Sequence, residues 1–184
     1  MKYAHLIKLT VFSCENENNK HILDSFLKFF PFNIEDNKII LKKSDAMGFN
    51  DKKIEVIEIT LTKTNLINQF LKNLLDKLDI EQKNKILQQM ESRLDKNLDL
   101  FLRFEKDEWI NEKKLVLTDS GKCFHIKVSI ADFPKKREVA LNVIKDLFLR
   151  NMAFIATITM LADINTAASA GSSRIPSSKN QKIV

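Results

Sequence analysis

The chain has 184 residues, the length of one domain with a short appendage rather than of two full domains. Hydrophobic residues make up 44% and charged residues 29%, a balance that excludes an intrinsically disordered protein. The formal net charge of +6 is compatible with binding to a polyanion, although a general richness in lysine also accounts for it.

Features of exported or membrane proteins do not appear in the sequence. Its two cysteines, Cys14 and Cys123, are too few and too far apart for a disulfide framework. Residues 1–11 are too polar for a secretory leader, and no uninterrupted apolar run reaches the ~18 residues of a membrane-spanning helix. We therefore expect a cytoplasmic protein with no membrane partner.

An alternating strand followed by a capped helix opens the chain. Along residues 5–12, every second side chain is apolar and these side chains fall on one side of the chain, which predicts a half-buried strand. Asn18 or Asn19 then offers a side-chain cap for a helix whose apolar residues recur at helical spacing until Pro31 ends it. These elements predict the first strand and the first helix of the domain.

Two more strands and two more helices follow. A short strand over 38–42 and a clearly alternating strand over 54–62 flank a loop that contains Gly48. Apolar residues between 65 and 78 match the helical pattern without a miss, so this helix must lie on the core. The next helix starts at Asp79 with a pattern typical of a capping box, and its narrow apolar stripe predicts a more peripheral position.

The stretch from Leu98 to Leu149 predicts two strands and the last helix. Residues 98–105 and 123–130 each separate apolar from polar side chains on opposite faces. Pro134 suits the first turn of the helix that follows. The resulting order, βαββααββα, favours an α+β domain with a largely antiparallel or mixed sheet, helices on one face, and an open second face.

The composition changes after Arg150, which predicts a domain over residues 1–150 and an extension over 151–184. Residues 152–164 are apolar but too few to span a bilayer, and we expect a helix or strand that packs on the domain or on a partner. From Thr166 onward the composition is typical of a flexible tail.

Residues with catalytic or metal-binding chemistry are scattered. The side chains that could combine in a zinc site are Cys14, His21, Cys123 and His125. No C-x-x-C or H-x-x-x-H pair anchors such a site, and the spacing provides neither cysteine with an adjacent base. The three glycines do not form a phosphate-binding loop. We expect no metal, no cofactor and no catalytic activity.

Cations and aromatic rings are predicted to share the open face of the sheet. The outward positions of the strands include Lys8, Phe12, Phe101, Arg103, His125 and Lys127. Aromatic rings can stack on unpaired bases while lysine and arginine contact phosphates, a combination that RNA-binding sheets use. Glu58, Asp99 and Glu105 fall on the same face and dilute its charge, and the loop that carries Trp109 could cover Phe101. An ordinary covered or solvated surface is therefore the alternative.

A second basic cluster, Lys135, Lys136 and Arg137, stands at the predicted start of the last helix. Cations at a helix N-terminus oppose the helix dipole at a cost of ~0.3–1 kcal/mol. Such a mismatch is typical of a phosphate-binding site, where backbone N–H groups also contribute. An exposed basic turn without a ligand is the alternative. Lys106 adds positive charge after the fourth strand.

Two stretches carry a family resemblance. LFLRFEKDEW, with Arg103 and Lys106, and KCFHIKVSIADFPKKREVALNVI, with its Pro-Lys-Lys sequence, resemble the archaeal predicted RNA-binding family that has been linked to the exosome. VFSCENENNKHILDSF and MGFNDKKI are similar to its first strand and its glycine-containing loop, although Phe12 and Cys14 depart from the family pattern. The resemblance implies RNA binding without an assigned reaction, and a fold similar to the large-subunit ribosomal protein that contacts 5S ribosomal RNA.

These observations predict a non-catalytic RNA-binding protein that acts in RNA processing or ribosome-related assembly. The expected contacts to phosphates and unpaired bases come from Lys8, Arg103, Lys106, His125, Lys127, Lys135, Lys136 and Arg137. The alternative is a subunit that docks a larger complex through its helical face or apolar extension without touching RNA. An unrecognised enzyme, such as a nuclease, is the least favoured class. The sequence leaves the oligomeric state open.

Overall fold

The fold is built on one five-stranded antiparallel sheet. The computed structural model describes residues 2–48, 53–131 and 133–171. The strands are β1 (Ala4–Cys14), β2 (Leu41–Met47), β3 (Lys53–Leu61), β4 (Asp99–Glu105) and β5 (Cys123–Ile130). They pair in the order β2-β3-β1-β5-β4, with every neighbour antiparallel. β1 is therefore central, and β2 and β4 form the edges.

Five helices occur in the described ranges. They are α1 (Asn19–Leu27), α2 (Thr64–Lys77), α3 (Ile80–Arg93), α4 (Lys106–Glu112) and α5 (Arg137–Gly171). The predicted α+β class is confirmed, and the predicted order holds apart from the additional α4 between β4 and β5. At seven residues, α4 is too short for hydrophobic periodicity to reveal it.

Side-chain caps fix the starts of two helices. Asn18 Oδ1 accepts a hydrogen bond from the N–H of His21 at 3.1 Å, and Asp79 Oδ1 accepts one from the N–H of Gln82 at 2.8 Å. Each cap of this kind contributes about 1 kcal/mol. Asn18 rather than Asn19 is the cap of α1, because the Asn19 side chain accepts a hydrogen bond from Ser13 Oγ at 2.6 Å.

Two element boundaries differ from those predicted. The second strand was expected over 38–42, but Lys38 has a φ of 54°, a left-handed conformation that a strand cannot accommodate. β2 begins at Leu41 and has almost no apolar alternation, since it is an exposed edge whose register comes from pairing with β3. The last helix begins at Arg137, so Pro134 lies before its first turn.

The apolar core lies between one face of the sheet and the helices. Ile7, Leu9 and Val11 of β1 point into it and are fully buried, as their alternation predicts. α2 contributes all of its apolar stripe, including Phe70, and α3 contributes a narrower set, including Ile86. The opposite face carries the polar side chains of the same strands. We call this second face the open face.

α5 continues well beyond the domain. Its early apolar residues Ala140, Ile144 and Phe148 are buried in the core. Asn151 Nδ2 donates to Asp76 Oδ1 at 3.0 Å, and past this contact Phe154 is exposed. At 35 residues the helix is about 52 Å long, so the predicted boundary at residue 150 falls inside one continuous element.

Of the helix or strand predicted for residues 152–164, the structure has the helix. This helix continues past Thr166, where the flexible tail was predicted to start. Residues 172–184, most of that tail, lie outside the described residues, as do residues 49–52 of the loop that contains Gly48. In the part of the chain that the structure covers, no helix combines the length and hydropathy needed to cross a membrane.

Candidate nucleic-acid interface

A continuous row of side chains crosses the open face over all five strands. From β2 to β4, the register places side by side Lys42, Glu58, Thr10, His125 and Arg103. Strands lie about 4.8 Å apart, so this row spans roughly 19 Å. The next row along the strands holds Thr60, Lys8, Lys127 and Phe101. Phe12 also lies on this face. The six cations and aromatic rings predicted for the open face therefore share one surface.

Two phenylalanines are unusually exposed on this surface. Phe12 is 41% and Phe101 is 40% accessible, although both belong to strands whose opposite side chains are fully buried. Phe12 meets the His125 ring edge to face, with centroids 5.3 Å apart and planes at 86°. Exposed rings on a sheet can stack on unpaired bases, which makes these two side chains the strongest feature of the interface.

Two of the lysines are held by carboxylates. Lys8 Nζ lies 2.5 Å from Glu58 Oε1, which also accepts a hydrogen bond from Thr10, and Lys127 Nζ lies 2.9 Å from Asp99 Oδ2. Partly exposed pairs of this kind contribute only about 0–1 kcal/mol. A phosphate can therefore displace either carboxylate at low cost, but the local charge of the face is close to neutral.

Arg103 keeps more of its donors available. Its Nη1 donates to the backbone carbonyl of Asp119 at 3.0 Å, which orients the guanidinium along the edge of the sheet. Within the described ranges its side chain forms no ion pair, and its Nε and Nη2 carry no hydrogen bond. Arg103 is thus the open-face cation best placed to contact a phosphate or a base edge.

His125 contributes an aromatic ring rather than a charge. Burial lowers the pKa of its imidazole below the ordinary value, and the nearby cations Arg103 and Lys106 lower this pKa further. Its Nε2 lies 3.3 Å from the Cys123 Sγ. The ring is therefore neutral at physiological pH, so it can stack or exchange a hydrogen bond but adds nothing to phosphate attraction.

Lys106 lies inside the protein, apart from the other predicted contacts. Its side chain is 3% exposed, and Nζ donates to the Phe12 carbonyl at 2.6 Å and to both Glu17 carboxylate oxygens at 3.0 and 3.2 Å. These partners are 94 and 89 positions away in sequence, so local patterns could not reveal them. The observed role of Lys106 is to join α4 to the end of β1.

The basic cluster before α5 divides into two parts. Arg137 Nη1 donates to the Leu94 carbonyl at 3.0 Å, and Nη2 donates to the Glu91 carbonyl. These carbonyls end α3, where a cation is favourable. A cation at the start of α5 is unfavourable for the dipole of that helix. For Arg137 this cost is offset by its hydrogen bonds to the carbonyls at the end of α3. Lys135 and Lys136 are exposed and make no ion pair in the part of the chain described, so they remain available to an anion.

The structure adds two residues that the sequence did not single out. Arg93, at the end of α3, and Asp119, before β5, reach the same sheet edge as Phe101 and Arg103. Their separation of 26 positions and their placement outside the strands left no periodic signal. This edge of the sheet therefore carries a cluster of residues that are close in the folded structure but not in the sequence.

The cysteines and histidines do not assemble into a centre of the kind considered from the sequence. Among the residues that the structure describes, no three histidine, cysteine, aspartate or glutamate side chains are grouped so as to hold a metal ion. Burial raises the pKa of the Cys123 thiol, which keeps it protonated beside His125. A protonated thiol is a poor nucleophile.

Comparison with known proteins places the chain in a family. A family model described as RNA binding matches residues 6–130, which include nearly all of the five strands. The chain belongs to this RNA-binding family. An RNA-binding protein of Pyrococcus abyssi is 22% identical over 144 residues, covering 78% of this chain and 92% of that protein. The resemblance seen in the sequence is thus confirmed at the level of the family.

Solved structures carry the same fold as this member of the RNA-binding family. A DUF54 protein of Archaeoglobus fulgidus is 26% identical with a TM-score of 0.70, covering 78% of this chain and 99% of its own. A DUF54 protein of Sulfolobus solfataricus is 25% identical with a TM-score of 0.63, covering 79% and 98%. A third, from Methanothermobacter thermautotrophicus, is 20% identical with a TM-score of 0.65, covering 79% and 98%. The open face is therefore part of the fold that these relatives share.

Proposed function

We propose that this protein binds single-stranded RNA through the open face and does not act on it chemically. Phe12 and Phe101 stack on unpaired bases, Lys8 and Lys127 contact the phosphates, and Arg103 contacts a phosphate or a base edge. The observation that carries the proposal is the pair of phenylalanines, each about two fifths exposed, on a sheet face beside a cation that has no carboxylate partner among the described residues. Membership of the RNA-binding family supports it.

The chemistry of the open face favours unpaired over paired RNA. Bases inside an A-form helix are already stacked, and their flat faces are out of reach of a protein ring. The carboxylates of Glu58 and Asp99 also limit how strongly this face attracts the dense phosphates of a duplex. Lys135 and Lys136 supply a second phosphate contact at the start of α5.

The cellular role that we propose is in RNA processing or ribosome-related assembly in the cytoplasm. The resemblance of the sequence to an exosome-linked family supports the first of these processes, and the fold that this resemblance implies, similar to a 5S-binding ribosomal protein, supports the second. In either process the protein would hold or present an RNA to other components.

Fluorescence anisotropy with a labelled single-stranded RNA and a matched duplex tests the binding mode. We expect the single strand to bind more tightly, and Phe101→Ala or Phe12→Ala to weaken that binding roughly 5- to 100-fold, which corresponds to one lost stacking contact. Lys72→Ala, on the helical side of the domain, is the control and should bind like the parent. Open-face variants with unchanged affinity would disprove the interface.

The non-catalytic part of the proposal has its own test. Labelled RNA incubated with the protein and a divalent metal should keep its length on a denaturing gel. Reproducible cleavage that copurifies with the protein would contradict this expectation.

Docking of a protein partner through α5 is a second candidate function. The observation that favours it is the apolar surface beyond the domain, where Phe154 and Met160 are exposed on a charge-free stretch of the helix. Such side chains are typical of protein contacts. A double Phe154→Ser, Met160→Ser variant would lose the partner but retain RNA if the two functions are separate.

A further inference from the structure

A cavity of about 420 Å³ opens at the edge of the sheet beside β4. Its lining includes Gln89 and Arg93 from the end of α3, Phe101 and Arg103 from β4, and Asp119 from the segment before β5. This volume is within the range of sites that hold small ligands. The cavity adjoins the open face, since Phe101 and Arg103 belong to both.

The polar groups of the cavity are held in place by one another. Arg93 Nη2 donates to Asp119 Oδ1 at 2.6 Å, and Arg93 also donates to Gln89 Oε1 from Nη2 at 2.7 Å and from Nε at 3.0 Å. Its side chain is only 9% exposed, whereas that of Asp119 is 72% exposed. The buried arginine therefore fixes an accessible carboxylate, which is the arrangement of a preorganised acceptor.

The charge balance of the cavity argues against a phosphate. Arg93 and Arg103 supply two positive charges, while Asp95 and Asp119 supply two negative charges. A phosphate would gain little from a neutral site and would meet an exposed carboxylate directly. A neutral planar group with both donors and acceptors fits these residues better.

The hydrogen-bonding atoms that are still available in the cavity restrict the class of ligand further. A carboxylate oxygen has two acceptor positions, and Asp119 Oδ2 carries no hydrogen bond within the ranges described. Arg103 Nε and Nη2 are likewise available as donors there. Phe101 adds an exposed ring at the wall of the cavity. The site therefore offers an acceptor pair, a donor pair and a stacking surface.

We propose that this cavity binds one unpaired guanine of the bound RNA. Guanine has two adjacent donors, N1–H and the N2 amino group, that a carboxylate such as Asp119 accepts together. It also has the O6 and N7 acceptors that an arginine such as Arg103 contacts with two hydrogen bonds. Adenine, cytosine and uracil lack the paired donors. The inference rests on the proposed RNA binding and assigns it a preference for guanine.

Short oligouridines test the preference in the full-length protein. One carries a single central guanine, one a single central adenine, and one neither. We expect the guanine strand to bind about tenfold more tightly than the adenine strand, in line with one bidentate contact. Equal affinity for the two strands would overturn the guanine site. Failure of every strand to bind would instead count against the proposed function.

Asp119→Asn isolates the contribution of the carboxylate. The amide oxygen can still accept the Arg93 hydrogen bond, so we expect the variant to fold like the parent, which a thermal melt checks. The variant should bind guanine and adenine strands equally while keeping its affinity for plain oligouridine. Asp45→Asn, on the opposite edge strand, is the matched control and should retain the guanine preference. A preference that survives Asp119→Asn would contradict the assignment.

A titration with mononucleotides measures the cavity without the rest of the RNA. Guanosine monophosphate should shift the NMR resonances of Arg103 and of the Asp119 backbone amide, and adenosine monophosphate should shift them much less. Selective shifts would support the guanine site even if longer RNA does not bind. Equal shifts, or none from guanosine monophosphate, would disprove it.

Discussion

Lys106 and Glu17 form a buried ion pair that joins three elements of the fold. The ammonium contacts the end of β1 and the loop before α1 from its position at the start of α4. Lys122, on the surface, also binds Glu17, with its Nζ 3.1 Å from Oε1. Burying a charge is tolerated only where partners satisfy it, and here three oxygens surround one ammonium.

Replacing Lys106 should therefore cost stability rather than RNA affinity. Lys106→Met leaves the Glu17 carboxylate without its main partner, and we expect the free energy of unfolding to fall by about 3–5 kcal/mol. Lys72→Met removes an exposed pair with Asp76 and should change it by about 0.5 kcal/mol or less. Urea denaturation measures both. A Lys106 variant as stable as the parent would contradict the structural role.

Glu17 should make stability depend on pH in the acid range. Burial raises the pKa of its carboxyl, but hydrogen bonds from the Cys14 backbone N–H, Lys106 and Lys122 outweigh this and lower the pKa from 4.5 to about 2. The Glu17 carboxyl binds its proton more tightly in the unfolded chain than in the folded protein. Its contribution to the free energy of unfolding is therefore complete above about pH 4.5 and disappears as the pH falls towards 2. The expected size of this contribution is about 3 kcal/mol.

Comparison with Glu17→Gln isolates this effect, because the amide does not titrate. The difference in unfolding free energy between the parent and the variant should be constant at neutral pH and shrink below pH 4.5. A difference that stays the same down to pH 3 would show that Glu17 has an ordinary pKa.

At the scale of elements, α5 combines two environments in one helix. Phe148 is 2% exposed and packs in the core, whereas Phe154 lies six positions later on the exposed part of the helix. Phe148→Ala should lower the free energy of unfolding by about 3–5 kcal/mol. Phe154→Ala should change it by about 0.5 kcal/mol or less. Similar losses in the two variants would mean that the extension packs on the domain.

The elements that sequence patterns predicted well are those with one apolar face. β1, β3 and β5 alternate over most of their length because each buries one face against helices, and α2 shows a full stripe for the same reason. β2 and α4 gave no such signal. The first is an exposed edge strand, and the second is a seven-residue helix anchored by Trp109, whose Nε1 donates to the Ser25 carbonyl at 2.8 Å.

At the scale of the whole molecule, the distribution of charge predicts a moderate response to salt. The net charge of +6 is offset on the open face by Glu58 and Asp99, so we expect two to four phosphate contacts rather than a dense set. For single strands, raising the salt from about 50 to about 200 mM should then weaken RNA binding roughly 7- to 50-fold. Anisotropy titrations across this range measure it. Affinity independent of salt would favour a protein partner instead.

For the elements with one apolar face, the sequence alone determined which side chains line the core and which lie on the open face. Alternation and helical spacing are local consequences of burying one side of an element. The sequence therefore located Lys8, Phe12, Phe101, Arg103, His125 and Lys127 on one surface. Only the tertiary structure decided which cations are available to a ligand. Lys106 and Arg137 bind carbonyls contributed by distant segments, while Arg93 and Asp119 meet at the edge of β4. These contacts depend on chain packing over tens of residues, which no local pattern encodes.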